Sequence, residues 1–175
     1  FQPAEEGDGG GRVMVEQGLF EKFSMQSVFG LHNWPGLPAG QMAVLSGPVM
    51  AGADRFEIGV TGRGGHAAMP QQAADTVVAA CALVQSLQTL VSRNTEPFEP
   101  AVLSVTRFHA GHADNVLPEQ AILGGTVRSF NAVQQALMET GMQRICAGIA
   151  GAFGVQIKLD FVHGYPPTIN SAQES

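Results

Sequence analysis

Positive charge is scarce in this sequence and never clustered. Nine Lys and Arg stand against 15 Asp and Glu, a formal net charge of −6, which argues against a nucleic-acid surface. Cysteine is nearly absent. Cys81 and Cys146 both sit in apolar, helix-patterned stretches and read as small buried hydrophobes, not as a disulfide framework. A reducing, cytoplasmic setting is the matching expectation. No apolar run reaches the roughly 20 residues of a bilayer span, so no membrane partner is expected. The N-terminus lacks the charged start and apolar core of a signal peptide, and no repeat or low-complexity tract is visible. The chain begins with Phe1 in what reads as mid-strand and ends in a polar tail, Asn170-Ser171-Ala172-Gln173-Glu174-Ser175. An internal piece of a longer protein is therefore expected.

What is present is a well-buried composition: 45% hydrophobic and 14% charged residues in 175, enough for one domain or a small domain plus part of another. Residues 10–20 mix Val13, Met14, Val15, Leu19 and Phe20 with polar positions, a short amphipathic helix. Residues 26–32 (QSVFGLH) and 41–45 read as short strands, separated by a Pro- and Gly-rich turn and ended by Ser46-Gly47-Pro48. A linker is expected near residues 49–53. Beyond it the pattern is regular. Residues 55–61 alternate with Phe56, Ile58 and Val60 inward. Asp75 caps a helix running to about Arg93, with Val77, Cys81, Val84, Leu87 and Val91 on one face. Strands follow at 101–109 and 120–130. Asn131 caps a second helix to about Phe153, carrying Leu137, Met138, Ile145 and Ile149, and 155–162 alternates as a last strand. The order strand, helix, strand, strand, helix, strand predicts an α/β chain of the α+β kind: a ferredoxin-like βαββαβ domain with an antiparallel sheet and two helices on one face.

Several residues have the chemistry for a site. Glu5 and Glu6 leave an apolar segment into a glycine-rich turn. Paired carboxylates can divide labour between general base and metal ligand, although an arbitrary Glu-Glu is most often a solvated loop. Glu6 and His32 fall at the ends of predicted strands, where open α/β sheets place their ligands; by spacing alone His32 reads as a partly buried loop histidine packed near Trp34. Gly64-Gly65-His66 is a tight loop that aims an imidazole outward, either into solvent or at an oxyanion. Asn115, at a turn, and Arg128, late in a strand, could together clamp a carboxylate, or be a turn residue and a surface arginine. His109, His112 and His163 take no role.

Five segments occur in order: Phe1-Gln2-Pro3-Ala4-Glu5-Glu6-Gly7, Gly30-Leu31-His32-Asn33-Trp34-Pro35, Gly62-Arg63-Gly64-Gly65-His66-Ala67-Ala68-Met69-Pro70, Asp114-Asn115-Val116-Leu117-Pro118 and Gly125-Thr126-Val127-Arg128-Ser129-Phe130. Together they resemble the metal-dependent amidohydrolases of the hippurate hydrolase, N-acyl-amino-acid amidohydrolase and auxin-conjugate hydrolase group, within the aminoacylase and carboxypeptidase G superfamily of metallopeptidases. The resemblance spans essentially the whole chain and does not fix a substrate. It implies part of a catalytic domain at 1–52, a ferredoxin-like lid and dimerisation domain at 53–163, and a return to the catalytic domain at 164–175. It also implies roles. Glu5 is the general base acting on metal-activated water, and Glu6 and His32 are metal ligands. His66 reaches a dimer partner's site to stabilise the oxyanion, and Asn115 and Arg128 contact the substrate, notably its free carboxylate. The chemistry implied is cleavage of the amide of an N-acyl amino acid by a homodimer holding two divalent ions, of zinc, manganese, cobalt or nickel. Of about five ligands expected by resemblance, only Glu6 and His32 are identified, against the three or four a zinc ion takes. The 175-residue chain alone is therefore expected to hold no metal tightly and to be inactive. A non-catalytic dimerisation or ligand-sensing module is the competing expectation, since fold does not fix function.

Overall fold

A computed structural model of the chain describes residues 3–4, 9–173 and 175. The chain divides into two compact units, Phe1–Val44 and Leu45–Ser175.

The first unit carries two short helices, α1 (Gly10–Glu16) and α2 (Leu19–Lys22). Each is entered through a glycine in the left-handed region, Gly9 at φ 65° and Gly18 at φ 85°, a conformation that glycine adopts without a Cβ penalty. The amphipathic helix expected at 10–20 is thus split at Gly18. The strands expected at 26–32 and 41–45 do not form. A strand exists only where a neighbour takes up its backbone groups, and no described segment forms a ladder with either. Phe29 and Leu31 are 77% and 87% exposed. His32 accordingly lies at no strand end.

The second unit holds the ferredoxin-like plan. Its main sheet is built from β2 (Gly52–Thr61), β4 (Ala101–Ala110), β6 (Gln120–Ser129) and β7 (Gln156–Tyr165). The strands run in the order β4-β6-β2-β7 and are antiparallel throughout. Helices α3 (Thr76–Thr89) and α4 (Ala132–Phe153) cover one face. Both predicted caps are made. Asp75 Oδ1 accepts from the Val77 and Val78 N–H groups at 2.9 and 3.1 Å, and Asn131 Oδ1 accepts from Gln134 N–H at 2.8 Å. Phe56, Ile58 and Val60 face the core as expected, with Leu123 and Val127 beside them and Leu83, Leu87, Met138 and Met142 above.

Helix α3 is rotated from the expected phase. Thr76, Ala79, Ala80, Leu83 and Leu87 are buried, while Cys81 is exposed; of the two cysteines only Cys146 is a core residue. A π-helical turn, Leu90–Asn94, continues α3 and buries Leu90. The span Thr76–Asn94 is long and apolar enough to cross a membrane by length and composition, unlike any uninterrupted apolar run. Its buried side, however, forms part of the core over the sheet. No linker occupies 49–53. Strand β1 (Gly47–Met50) runs almost directly into β2 and pairs antiparallel with β8 (Thr168–Asn170). Pro48 is tolerated there because a two-stranded ribbon leaves one edge of each strand free of ladder bonds.

Candidate functional site

His66 lies in β3 (Gly65–His66), which pairs with β5 (Val116–Leu117), His66 opposite Val116. This two-residue ladder extends from the end of the main sheet: Gly62 N–H donates to Glu119 O at 2.9 Å, just past the pairing of Thr61 with Gln120. The glycines of the motif are needed for that approach. A Cβ on Gly62 would stand 2.3 Å from Ala74 O, and one on Gly64 would stand 2.8 Å from Leu117 O. Ala67 N–H donates to Asn115 O at 2.9 Å, so the ladder brings His66 and Asn115 together, both exposed.

Hydrogen bonds fix the two histidine tautomers in opposite senses. His66 Nδ1 lies 3.1 Å from the Ala68 N–H. A backbone N–H can only donate, so Nδ1 is the acceptor, the ring is neutral, and its proton sits on the outward Nε2. His32 Nδ1 lies 2.6 Å from Asn33 O. A carbonyl can only accept, so Nδ1 carries a proton, and in the neutral ring Nε2 presents the lone pair. The first arrangement suits an oxyanion donor; the second is how a metal-ligating histidine is oriented by a carbonyl behind it. The His32 ring meets Trp34 edge-on, with centroids 6.2 Å apart.

Imidazole nitrogen with carboxylate oxygen fits zinc, manganese, cobalt or nickel. Glu5 and Glu6 lie outside the described residues. Among the described residues no group of three or more His, Cys, Asp and Glu could hold an ion.

Arg128 is not brought to Asn115. It sits near the far end of β6, opposite Ala53 and Val102. It lies eight residues from Gln120, roughly 27 Å at about 3.4 Å per residue. The two cannot clamp one carboxylate within a single chain.

Sequence reasoning missed Asp54. It is fully buried and shares the inward parity of Phe56, Ile58 and Val60, an isolated acid in an apolar register that could have been noticed. Gln135 Nε2 donates to both its oxygens at 3.0 Å, and Gly164 N–H donates to Oδ1 at 3.0 Å. His163 Nε2 lies 3.3 Å from Glu139 Oε2, and its Nδ1 is 3.9 Å from Asp54.

Comparison with known proteins places this architecture. The family model of the peptidase dimerisation domain matches residues 50–145. Curated relatives include a Campylobacter jejuni hippurate hydrolase, 43% identical over 98% of this chain and 45% of its own length. Others are a Bacillus subtilis N-acetylcysteine deacetylase, 41% identical over 97% and 44%, and a Geobacillus stearothermophilus N-acyl-L-amino acid amidohydrolase, 43% identical over 97% and 46%. Among solved structures, a putative aminohydrolase from methicillin-resistant Staphylococcus aureus superposes with a TM-score of 0.93 at 32% identity, covering 99% of this chain and 46% of that one. A Bacillus subtilis protein described as a dinuclear metal-binding peptidase of the M20 family superposes with a TM-score of 0.77 at 35% identity, over 98% and 42%. The chain thus spans about half the length of the curated relatives it matches. With more than half its residues inside the matched model and the same sheet and helices in these neighbours, this chain belongs to the M20 peptidase dimerisation domain family.

Proposed function

We propose that this chain is the lid-bearing part of a metal-dependent amidohydrolase that cleaves N-acyl amino acids as a homodimer. The observation that carries the reading is His66, locked as a neutral Nε2–H donor beside Asn115. Glu6 and His32 would hold the metal. A bound divalent pair supplies Lewis acidity toward the amide carbonyl and lowers the pKa of water. Glu5 takes the proton of the attacking water and delivers it to the leaving amine. His66 Nε2–H donates to the carbonyl oxygen as negative charge grows there, Asn115 holds the substrate, and the Arg128 guanidinium forks its free carboxylate.

The roughly 27 Å between the His66 end and the Arg128 end of the lid is far longer than an N-acyl amino acid. The two ends therefore serve different active sites of the dimer, with His66 and Asn115 reaching the partner's. The helical part of the surface for that pairing is uncharged. Helix α3 has no charged residue from Thr76 to Ser92, its exposed stripe is Val78, Cys81, Gln85 and Gln88, and β4 is an open sheet edge. On this reading β1 and β8 carry the chain into and out of the lid, and residues 1–52 belong to the catalytic domain.

The test is a chimera in which this chain replaces the matching span of the Campylobacter jejuni hippurate hydrolase. It should hydrolyse N-acyl amino acids, lose activity to a chelator, and lose about 100- to 1,000-fold in kcat on His66→Ala. A folded, dimeric but inactive chimera would support the non-catalytic module instead.

A further inference from the structure

Arg55 and Arg128 share the face of the sheet turned away from the helices. Their flanking residues, Asp54, Phe56, Val127 and Ser129, are all buried on the other side. The register pairs Arg55 with Thr126 and Ala53 with Arg128, so the two arginines are diagonal neighbours on adjacent strands. Such positions lie about 7–8 Å apart, within reach of two guanidinium groups converging on one molecule.

Neither arginine has an acidic partner. The acids nearest on this face are engaged: Glu57 with Arg107 at 3.0 Å and Asp160 with Lys158 at 2.9 Å. Arg128 spends Nη1 on its neighbour's carbonyl, Val127 O, at 3.1 Å. Arg55 makes no hydrogen bond or ion pair among the described residues. Adjacent like charges on a sheet are destabilising. This chain has 15 acids for nine bases, so partners are not in short supply. Thr126 opposite Arg55 and Ser104 opposite Thr126 add hydroxyls to the same row.

A single carboxylate occupies one guanidinium fork. If Arg128 takes the free α-carboxylate, as proposed above, Arg55 is left to meet a second anion a few bonds away. We propose that Arg55 is a specificity-determining residue that, beside Arg128, selects N-acyl amino acids with a carboxylate side chain of the aspartate or glutamate kind. The proposal rests on the reading of Arg128 as the carboxylate fork.

The experiment titrates the 175-residue chain, with arginine Nε–H signals followed by NMR, using N-acetyl-L-glutamate and its neutral isostere N-acetyl-L-glutamine. N-acetylglutamate should bind about tenfold more tightly and shift both arginine signals. Arg55→Gln should bring its affinity down to that of N-acetylglutamine and leave the latter unchanged. Arg128→Gln should weaken both, and Arg93→Gln, a remote exposed arginine, should change neither. No preference for N-acetylglutamate, or an unchanged preference in Arg55→Gln while Arg128→Gln weakens both, overturns the role of Arg55 alone. An Arg128→Gln chain that binds both as the unmodified chain does overturns the Arg128 reading and this proposal with it.

Discussion

Asp54 and Gly164, 110 residues apart, are joined by a hydrogen bond of 3.0 Å from the Gly164 backbone to the Asp54 carboxylate. It ties the strand that enters the four-stranded sheet to the strand that leaves it. Gly164 has to be glycine there, because a Cβ would stand 1.9 Å from Ala53 O. Asp54→Ala removes the shared acceptor of the part-buried Gln135 amide and Gly164 N–H. It should cost about 2–4 kcal/mol, read as a lowered urea midpoint. Asp54→Asn should cost less, since one acceptor oxygen remains.

Gly124 and Gly125 are neighbours with opposite tolerances. The atoms nearest a Cβ on Gly124 belong to the Arg107 guanidinium, the far end of a flexible side chain, whereas one on Gly125 meets Ser104 O at 2.0 Å and the Phe56 ring at 2.5 Å. Gly124→Ala should displace Arg107 from Glu57 and change stability by less than about 1 kcal/mol, the worth of an exposed ion pair. Gly125→Ala should cost about 3 kcal/mol or more, because backbone cannot yield as a side chain does. Equal denaturation midpoints would contradict this.

The two histidine tautomers are directly observable. Long-range proton–nitrogen correlation spectra at neutral pH should show His66 protonated on Nε2 and His32 on Nδ1. Ala68→Pro, which removes the donor, should mix the His66 tautomers at neutral pH without affecting His32.

Burial pushes the Cys146 thiol from 9.0 up to about 11. The unfolded chain therefore releases this proton first, and the linkage has one sign. The contribution of Cys146 to stability is intact below about pH 9 and is lost as pH rises toward about 11. Stability measured over that window should fall less steeply in Cys146→Ala. In the folded chain a thiol reagent at pH 8 should spare Cys146.

The sequence was most legible where pattern and chemistry agreed. Phe56, Ile58 and Val60 alternate cleanly, and Asp75 and Asn131 are caps by residue type, so strand, helix and fold class followed. Helix α3 was found but misrotated, because apolar residues fill every position from Val77 to Val84 and periodicity then has no phase. The expected strands at 26–32 and 41–45 had composition but no partner, and pairing is not a local property. β3 and β5, two residues each, are too short for any pattern, yet they assemble His66 with Asn115. The separation of Asn115 from Arg128 was within reach of the sequence, because it follows from the rise of the single strand expected at 120–130.

The central claim is that the two ends of the lid serve two different active sites, and mixed dimers test it most directly. Chimeras carrying His66→Ala or Arg128→Ala should each be nearly inactive as homodimers. After mixing and subunit exchange, half the dimers are mixed, and each mixed dimer retains one intact site, so activity should return to about a quarter of the unsubstituted level. No recovery, with mixed dimers shown to have formed, would mean that His66 and Arg128 of one protomer act in the same site and would contradict the account.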